Sequence, residues 1–260
     1  MPRPIYIDVH PAYDGRNTYA CTNEEAAAHR YLLGSRKFIQ TGAIASTGDI
    51  IFSTLLPVSE RVYAVDHNTT AIAVAMIKAI LLDKMGVRAF KGLILEKEYA
   101  AFAKAYSEVI SELPEPLRRK ATAYSSNTIM VSLSTFAELR REWINYPDAA
   151  LNRTRRKLDA VTFIHGDLRD LTQFGPMDLL YVSNACEHSN RIEQGLTLGQ
   201  LAPLVRENGL LLQACVKQHH EPRFWQHSQR ILATRLSWDY DLFVRKTPLS
   251  VTVTSEIGPL

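Results

Sequence analysis

At 260 residues, with 46% hydrophobic and 22% charged side chains, the chain has a globular make-up, long enough for one α/β domain with an insertion or for two small domains. A net charge of +3 is too mild for a dedicated nucleic-acid binder, and no apolar run approaches the ~20 residues of a membrane span. The stretch MPRPIYIDVHPAYDG lacks the apolar core of a signal peptide, and the unclustered Cys21, Cys186 and Cys215 fit a reducing cytoplasm better than a disulfide framework.

Along the chain, five apolar, β-rich runs recur with helical patterns between them. They are Lys37 to Ala45, Arg61 to Asp66, Ala160 to His165, Met177 to Ser183 and Gly209 to Val216. Such alternation predicts a parallel sheet with right-handed crossovers. A helix is expected over Ile50 to Leu56. Another is expected over Ala71 to Met85, where Ile72, Met76, Ile77 and Ile80 keep helical spacing. The stretch from Thr69 to Asp159 is far longer than a simple crossover needs. It contains helical patterns at Glu96 to Leu113, Ser132 to Ile144 and Asp148 to Leu158, with Pro114 and Pro116 breaking the first from the next. A helical insertion at about 87–158 follows, either a substrate lid or an extra packing layer. Arg118-Arg119-Lys120 and Arg153-Thr154-Arg155-Arg156-Lys157 read as solvated helix faces. Thr234 to Arg245 and Leu249 to Ile257 alternate apolar and polar residues around a Lys246-Thr247-Pro248 turn, which predicts an antiparallel hairpin at the sheet edge. The expected fold is one Rossmann-like α/β domain over residues 1–260. Its sheet is of the class I methyltransferase type, mostly parallel with a C-terminal antiparallel hairpin.

Four strand ends carry the chemistry. The turn Ser46-Thr47-Gly48-Asp49 follows the first run and precedes a helix, so it offers free backbone N–H groups at the carboxyl edge of a sheet. Gly48 permits close backbone approach, while Thr47 or Asp49 can instead cap the helix. One glycine does not make a dinucleotide fingerprint. Asp66, with His67 and Asn68, ends the second run, where an acid accepts from both hydroxyls of a ribose or else caps the next helix. After the third run, Asp167 can accept from an adenine amino group and Leu168 can pack on its ring, although Gly-Asp also suits an ordinary turn. After the fourth, Ser183, Asn184, Glu187 and His188 crowd behind Tyr181, able to hold an amino-acid moiety or a nucleophile, or to cap a helix. Cys186 reads as a small buried filler. His219, His220 and His227 match no ligand spacing, so no metal is expected.

Taken together, Ile44 to Asp49, Val62 to Asn68, Met76 to Ile80 and Tyr181 to Glu187 resemble the 3-amino-3-carboxypropyl transferase family of betaine-lipid synthesis, which includes enzymes similar to azetidine-2-carboxylate synthases. The likeness covers roughly Tyr19 to Val216. It implies S-adenosylmethionine as co-substrate, attacked at the methionyl Cγ with release of methylthioadenosine. It also implies Thr47, Gly48 and Asp49 near the amino-acid and ribose parts, and Asp66 on the ribose. Ser46, His67 and Asn68 complete this cofactor set, and Asp167 and Leu168 lie by the adenine. Tyr181, Ser183, Asn184 and Glu187 then face the reacting tail, with Tyr181 and Glu187 as candidate bases. His67 departs from the family pattern. The short chain, without an amphipathic basic helix, points to a small soluble acceptor, or to closure by the substrate's own α-amine to azetidine-2-carboxylate. Stable membrane association and nucleic acid are not expected, and assembly as a homo-oligomer stays open. A methyltransferase using the same pocket and a non-catalytic nucleotide-binding module are the alternatives. A nicotinamide oxidoreductase fits less well without a glycine-rich turn.

Overall fold

Successive side chains of a strand point to opposite faces. In the central strands of this chain both sets are apolar, so the sheet must be covered on both sides. The computed structural model describes residues 3–9, 26–95, 99–123, 146–183, 198–215, 225–232 and 239–246. Its strands are β1 (Ile5–Asp8), β2 (Phe38–Ile44), β3 (Ser59–Asp66), β4 (Val161–His165), β5 (Met177–Ser183), β6 (Val205–Cys215), β7 (Trp225–Leu232) and β8 (Asp239–Arg245). They form one sheet in the order β1-β4-β3-β2-β5-β6-β8-β7. Pairing is parallel from β1 through β6, and β8 runs antiparallel to both β6 and β7. Counted from β2, the order is 3-2-1-4-5-7-6: a Rossmann-like sheet of the class I methyltransferase type, with β1 added at one edge.

One face carries Ala43, Val62, Ala64, Phe163, Leu179, Tyr181 and Leu212, packed against α1 (Ala26–Leu33) and α2 (Thr69–Leu95). The other carries Val65, Ile164, Leu180, Val182 and Leu211, covered by the 3-10 helix Leu168–Phe174 and the segment 198–204. Helix α2 is broken at Gly86 (φ 74°), where the pattern Ala71 to Met85 ends. Beyond it come α3 (Tyr99–Ile110), α4 (Glu115–Ala123) and α5 (Asp148–Arg155). Phe90, Leu93, Tyr106, Val109, Leu117 and Leu151 from this region are buried in the same cluster as the sheet face. These side chains of the insertion thus belong to the apolar core of that face. Ser132 to Ile144 and Leu249 to Ile257 lie outside the described residues.

Several expectations are corrected. The edge strand β1 was not foreseen. The hairpin pairs β8 with β7, N-terminal to it, and β7 is an edge strand in which Gln226 and Ser228 are exposed, so its apolar pattern is weak. Strand β6 starts at Val205, before the expected Gly209, because the polar run Arg206-Glu207-Asn208 sits inside it beside a register shift, with Asn208 at φ 60°. The helix at Ile50 to Leu56 is instead a π turn, Ile51–Leu55, closed by the Leu56 N–H on the Ile51 carbonyl at 2.8 Å. In that winding the next donor falls to Pro57, which has no N–H. The Phe52 carbonyl accepts from Thr154 Oγ1 instead, at 3.0 Å, tying α5 to the turn. Arg118 and Arg119 are exposed as expected. Arg155 and Lys157 are not merely solvated: they donate to the Asp83 carbonyl at 3.0 Å and the Leu56 carbonyl at 3.1 Å. Among the described residues, no helix is long and apolar enough to cross a membrane.

Candidate functional site

The strand order reverses between β2 and β5, and a crevice opens outside the carboxyl ends of an open α/β sheet at such a point. In the register that pairs Ala43 with Tyr181, these strands finish side by side. Each is followed or ended by a serine in the left-handed region, Ser46 at φ 44° and Ser183 at φ 52°. Left-handed backbone is uncommon for serine, and such strain collects at functional sites.

Asp66, at the tip of β3, links this edge together. Its Oδ2 accepts from the Ser46 N–H at 2.8 Å and its Oδ1 from the Asn68 N–H at 2.9 Å. Each oxygen keeps lone-pair capacity for a further donor. Burial pushes this carboxyl up, and His67, the two backbone N–H groups and His165 offset part of that rise. Asn68, not Asp66, is the helix cap: its Oδ1 accepts from the N–H groups of Thr70 (3.0 Å) and Ala71 (3.3 Å) at the start of α2. His67 is exposed.

The turn after β2 faces inward. Asp49 is buried and bound by Lys78 Nζ at 2.8 and 2.9 Å, and Thr47 Oγ1 donates to Asp49 Oδ2 at 2.8 Å. At Gly48 (φ 82°) a Cβ would lie 2.6 Å from the Phe52 ring and 2.9 Å from Ala75 Cβ. Glycine is required there by packing, whatever else approaches the turn. The expected free backbone N–H groups are in large part used within the fold, since Ser46 donates to Asp66 and Gly48 donates to the Ala45 carbonyl at 3.0 Å, and Ser46 is the partly exposed residue of the turn.

On the far side of β3, Asp167 caps the 3-10 helix by accepting from the Arg169 N–H at 2.9 Å, and it also binds the Arg169 guanidinium at 2.7 Å. Burial alone would raise its carboxyl, but the Arg169 side chain and N–H hold it below the usual range. Leu168 is buried in the second core cluster. Tyr181 is 2% exposed, with its ring perpendicular to that of His29 at 5.3 Å between centroids. Ser183 is partly exposed at the end of β5, while Asn184, Glu187 and His188 lie outside the described residues.

Three residues at this edge were given no role from sequence: Lys78, His165 and Asp8. A lone lysine within the apolar run of α2 and a lone acid within Ile5-Tyr6-Ile7-Asp8-Val9 were the available signals. Buried charge must find a partner.

No protein-family profile matches the chain, and no curated protein does. Solved structures similar to it include a conserved hypothetical protein of Streptococcus pyogenes, with 8% identity, a TM-score of 0.46, and coverage of 85% of this chain and 95% of that one. The N-methyltransferase NodS of Bradyrhizobium japonicum WM9 has 9% identity, a TM-score of 0.43 and coverage of 86% and 94%. The rRNA methyltransferase AviRa of Streptomyces viridochromogenes has 14% identity, a TM-score of 0.44 and coverage of 84% and 80%. Likenesses this distant say nothing of ligand or reaction; the strand order itself defines the fold.

Proposed function

We propose that the chain is an S-adenosylmethionine-dependent transferase that moves the 3-amino-3-carboxypropyl group. The observation that carries the cofactor reading is Asp66. Its carboxylate stands at the end of the strand beside the switch point, oriented by two backbone N–H groups and able to accept ribose hydroxyls. Ser46, partly exposed in the turn after β2, suits the polar tail, with the Asp49–Lys78 pair fixing that turn. Asp167 and Leu168 would flank the adenine.

The transferred group is supported by the sequence resemblance. S-adenosylmethionine supplies a sulfonium that activates all three of its carbon substituents. The protein's task is then to hold the tail bent, so that Cγ and not the methyl group meets the nucleophile. Ser183, with Asn184 and Glu187, would hold the tail, and Tyr181 or Glu187 would accept the proton released by an amine nucleophile. That amine belongs to a small soluble acceptor or to the substrate itself. In the second case the α-amine lone pair forms the N–Cγ bond, the Cγ–S pair leaves on sulfur as neutral methylthioadenosine, and the nitrogen loses a proton. The product is azetidine-2-carboxylate.

The deciding experiment incubates the purified protein with S-adenosylmethionine and identifies the products by mass spectrometry. Methylthioadenosine with the four-membered imino acid is the outcome for cyclisation. Methylthioadenosine with homoserine or its lactone means Cγ attack with the acceptor missing. S-adenosylhomocysteine without methylthioadenosine would replace this reading with methyl transfer. Binding with no turnover, even with pooled small-molecule acceptors, would leave a nucleotide-binding module.

A further inference from the structure

Three neighbouring strands end in an acid–histidine–acid row. Asp8 on β1 pairs with His165 on β4, and His165 with Asp66 on β3, in parallel register, so all three side chains leave the sheet on one face. His165 is 1% exposed. Its Nδ1 lies 2.9 Å from Asp8 Oδ1, and its Nε2 lies 3.3 Å from the His67 carbonyl oxygen. A carbonyl oxygen only accepts, so Nε2 donates in this contact, while Nδ1 faces the Asp8 carboxyl.

The peptide unit that His165 touches is the one that holds Asp66. Its carbonyl, from His67, accepts from His165, and its N–H, from Asn68, donates to Asp66 Oδ1 at 2.9 Å. The peptide is planar and trans, so fixing one end fixes the direction of the other. We propose that the Asp8–His165 pair positions the nucleoside-binding acid: His165 pins the 67–68 peptide plane, and that plane aims Asp66. This rests on the reading of Asp66 as the ribose acceptor.

The test measures S-adenosylhomocysteine affinity by calorimetry for wild type and two variants, with urea unfolding of each to show that the fold is equally stable. In His165→Gln the amide nitrogen falls near the Nε2 position and can donate to the His67 carbonyl, so affinity should stay within about twofold of wild type. In His165→Asn the amide falls near Nδ1 and leaves that carbonyl without its donor, so affinity should drop about five- to tenfold, the loss of one hydrogen bond. Rescue by glutamine and not by asparagine is the outcome expected of a positioning bond. Matching affinities for the two His165 variants would overturn the positioning role while leaving the ribose reading intact. If Asp66→Ala binds as well as wild type, or wild type does not bind S-adenosylhomocysteine at all, the ribose reading fails and this inference fails with it.

Discussion

Lys78 and Asp49 form an ion pair inside the protein, with Nζ 2.8 and 2.9 Å from the two carboxylate oxygens and side-chain exposures of 8% and 4%. It joins the turn after β2 to the middle of α2, and Gly48 docks on the same helix at Ala75, one turn earlier. A desolvated pair of this kind is weak evidence of net stabilisation, because its alternative is a well-packed apolar contact. Its value here is positional: it sets the turn that follows β2 at the switch point.

Removing only the lysine leaves a buried carboxylate uncompensated. Lys78→Met should therefore lower the unfolding free energy by about 3–5 kcal/mol. Adding Asp49→Asn removes the stranded charge and still offers an oxygen to Thr47 Oγ1. The double variant should recover a large part of the loss, and urea unfolding of the four proteins in the cycle measures the coupling. A loss under about 1 kcal/mol for Lys78→Met would mean that water replaces the amine and the pair does not hold the turn.

Gly48→Ala strikes the same docking from the other partner. The new methyl would sit 2.6 Å from Phe52 and 2.9 Å from Ala75, in a backbone conformation at φ 82° that alanine resists. Overpacking and left-handed strain add, for a loss of about 2–4 kcal/mol in denaturant unfolding. Binding of S-adenosylhomocysteine should weaken with it, because Ala75 or the turn must move.

The layout of this edge was largely legible in the sequence, since apolar runs ending in polar residues locate strand tips. The runs at Arg61 to Asp66 and Met177 to Ser183 end where β3 and β5 end. The parts that were not legible depend on partners remote in sequence. Asn68 and Asp66 are both plausible caps from spacing alone, and only the fold assigns the cap to Asn68 and the loop bridge to Asp66. Asp49 lies 29 positions before Lys78, and His165 lies 157 after Asp8, separations that no local pattern reports. Strand β7 was missed for a related reason: an edge strand needs one apolar face at most, so its alternation is faint.

Ser46 pays for its place with backbone strain, which glycine would not feel. Ser46→Gly keeps the N–H that donates to Asp66 and relieves a left-handed φ of 44°. The expected gain is about 1 kcal/mol in urea unfolding, reduced by the larger entropy of glycine in the unfolded chain. The same change at Ser183 (φ 52°) removes a hydroxyl proposed to face the reacting tail. It should stabilise the fold similarly while lowering turnover with S-adenosylmethionine. Equal turnover in Ser183→Gly and wild type would remove that hydroxyl from the mechanism.

Asp66 makes stability and binding respond to pH in opposite directions. Burial raises its carboxyl in the folded protein above the ordinary value, which is about 3.9 in an unfolded chain. Between those two values the folded state binds more protons than the unfolded state, so stability falls as pH rises through the window and stays lower above it. Asp66→Asn does not titrate there. The stability of wild type minus that of the variant, from urea unfolding between about pH 3.5 and 7, should decline from the acid end and then level. Ribose hydroxyls donate to the ionised form, so ligand binding pulls the carboxyl back down and releases protons on the acid side. Calorimetry of S-adenosylhomocysteine in buffers of different ionisation enthalpy measures that release directly. Proton uptake, or release unchanged in Asp66→Asn, would place the ribose on another group.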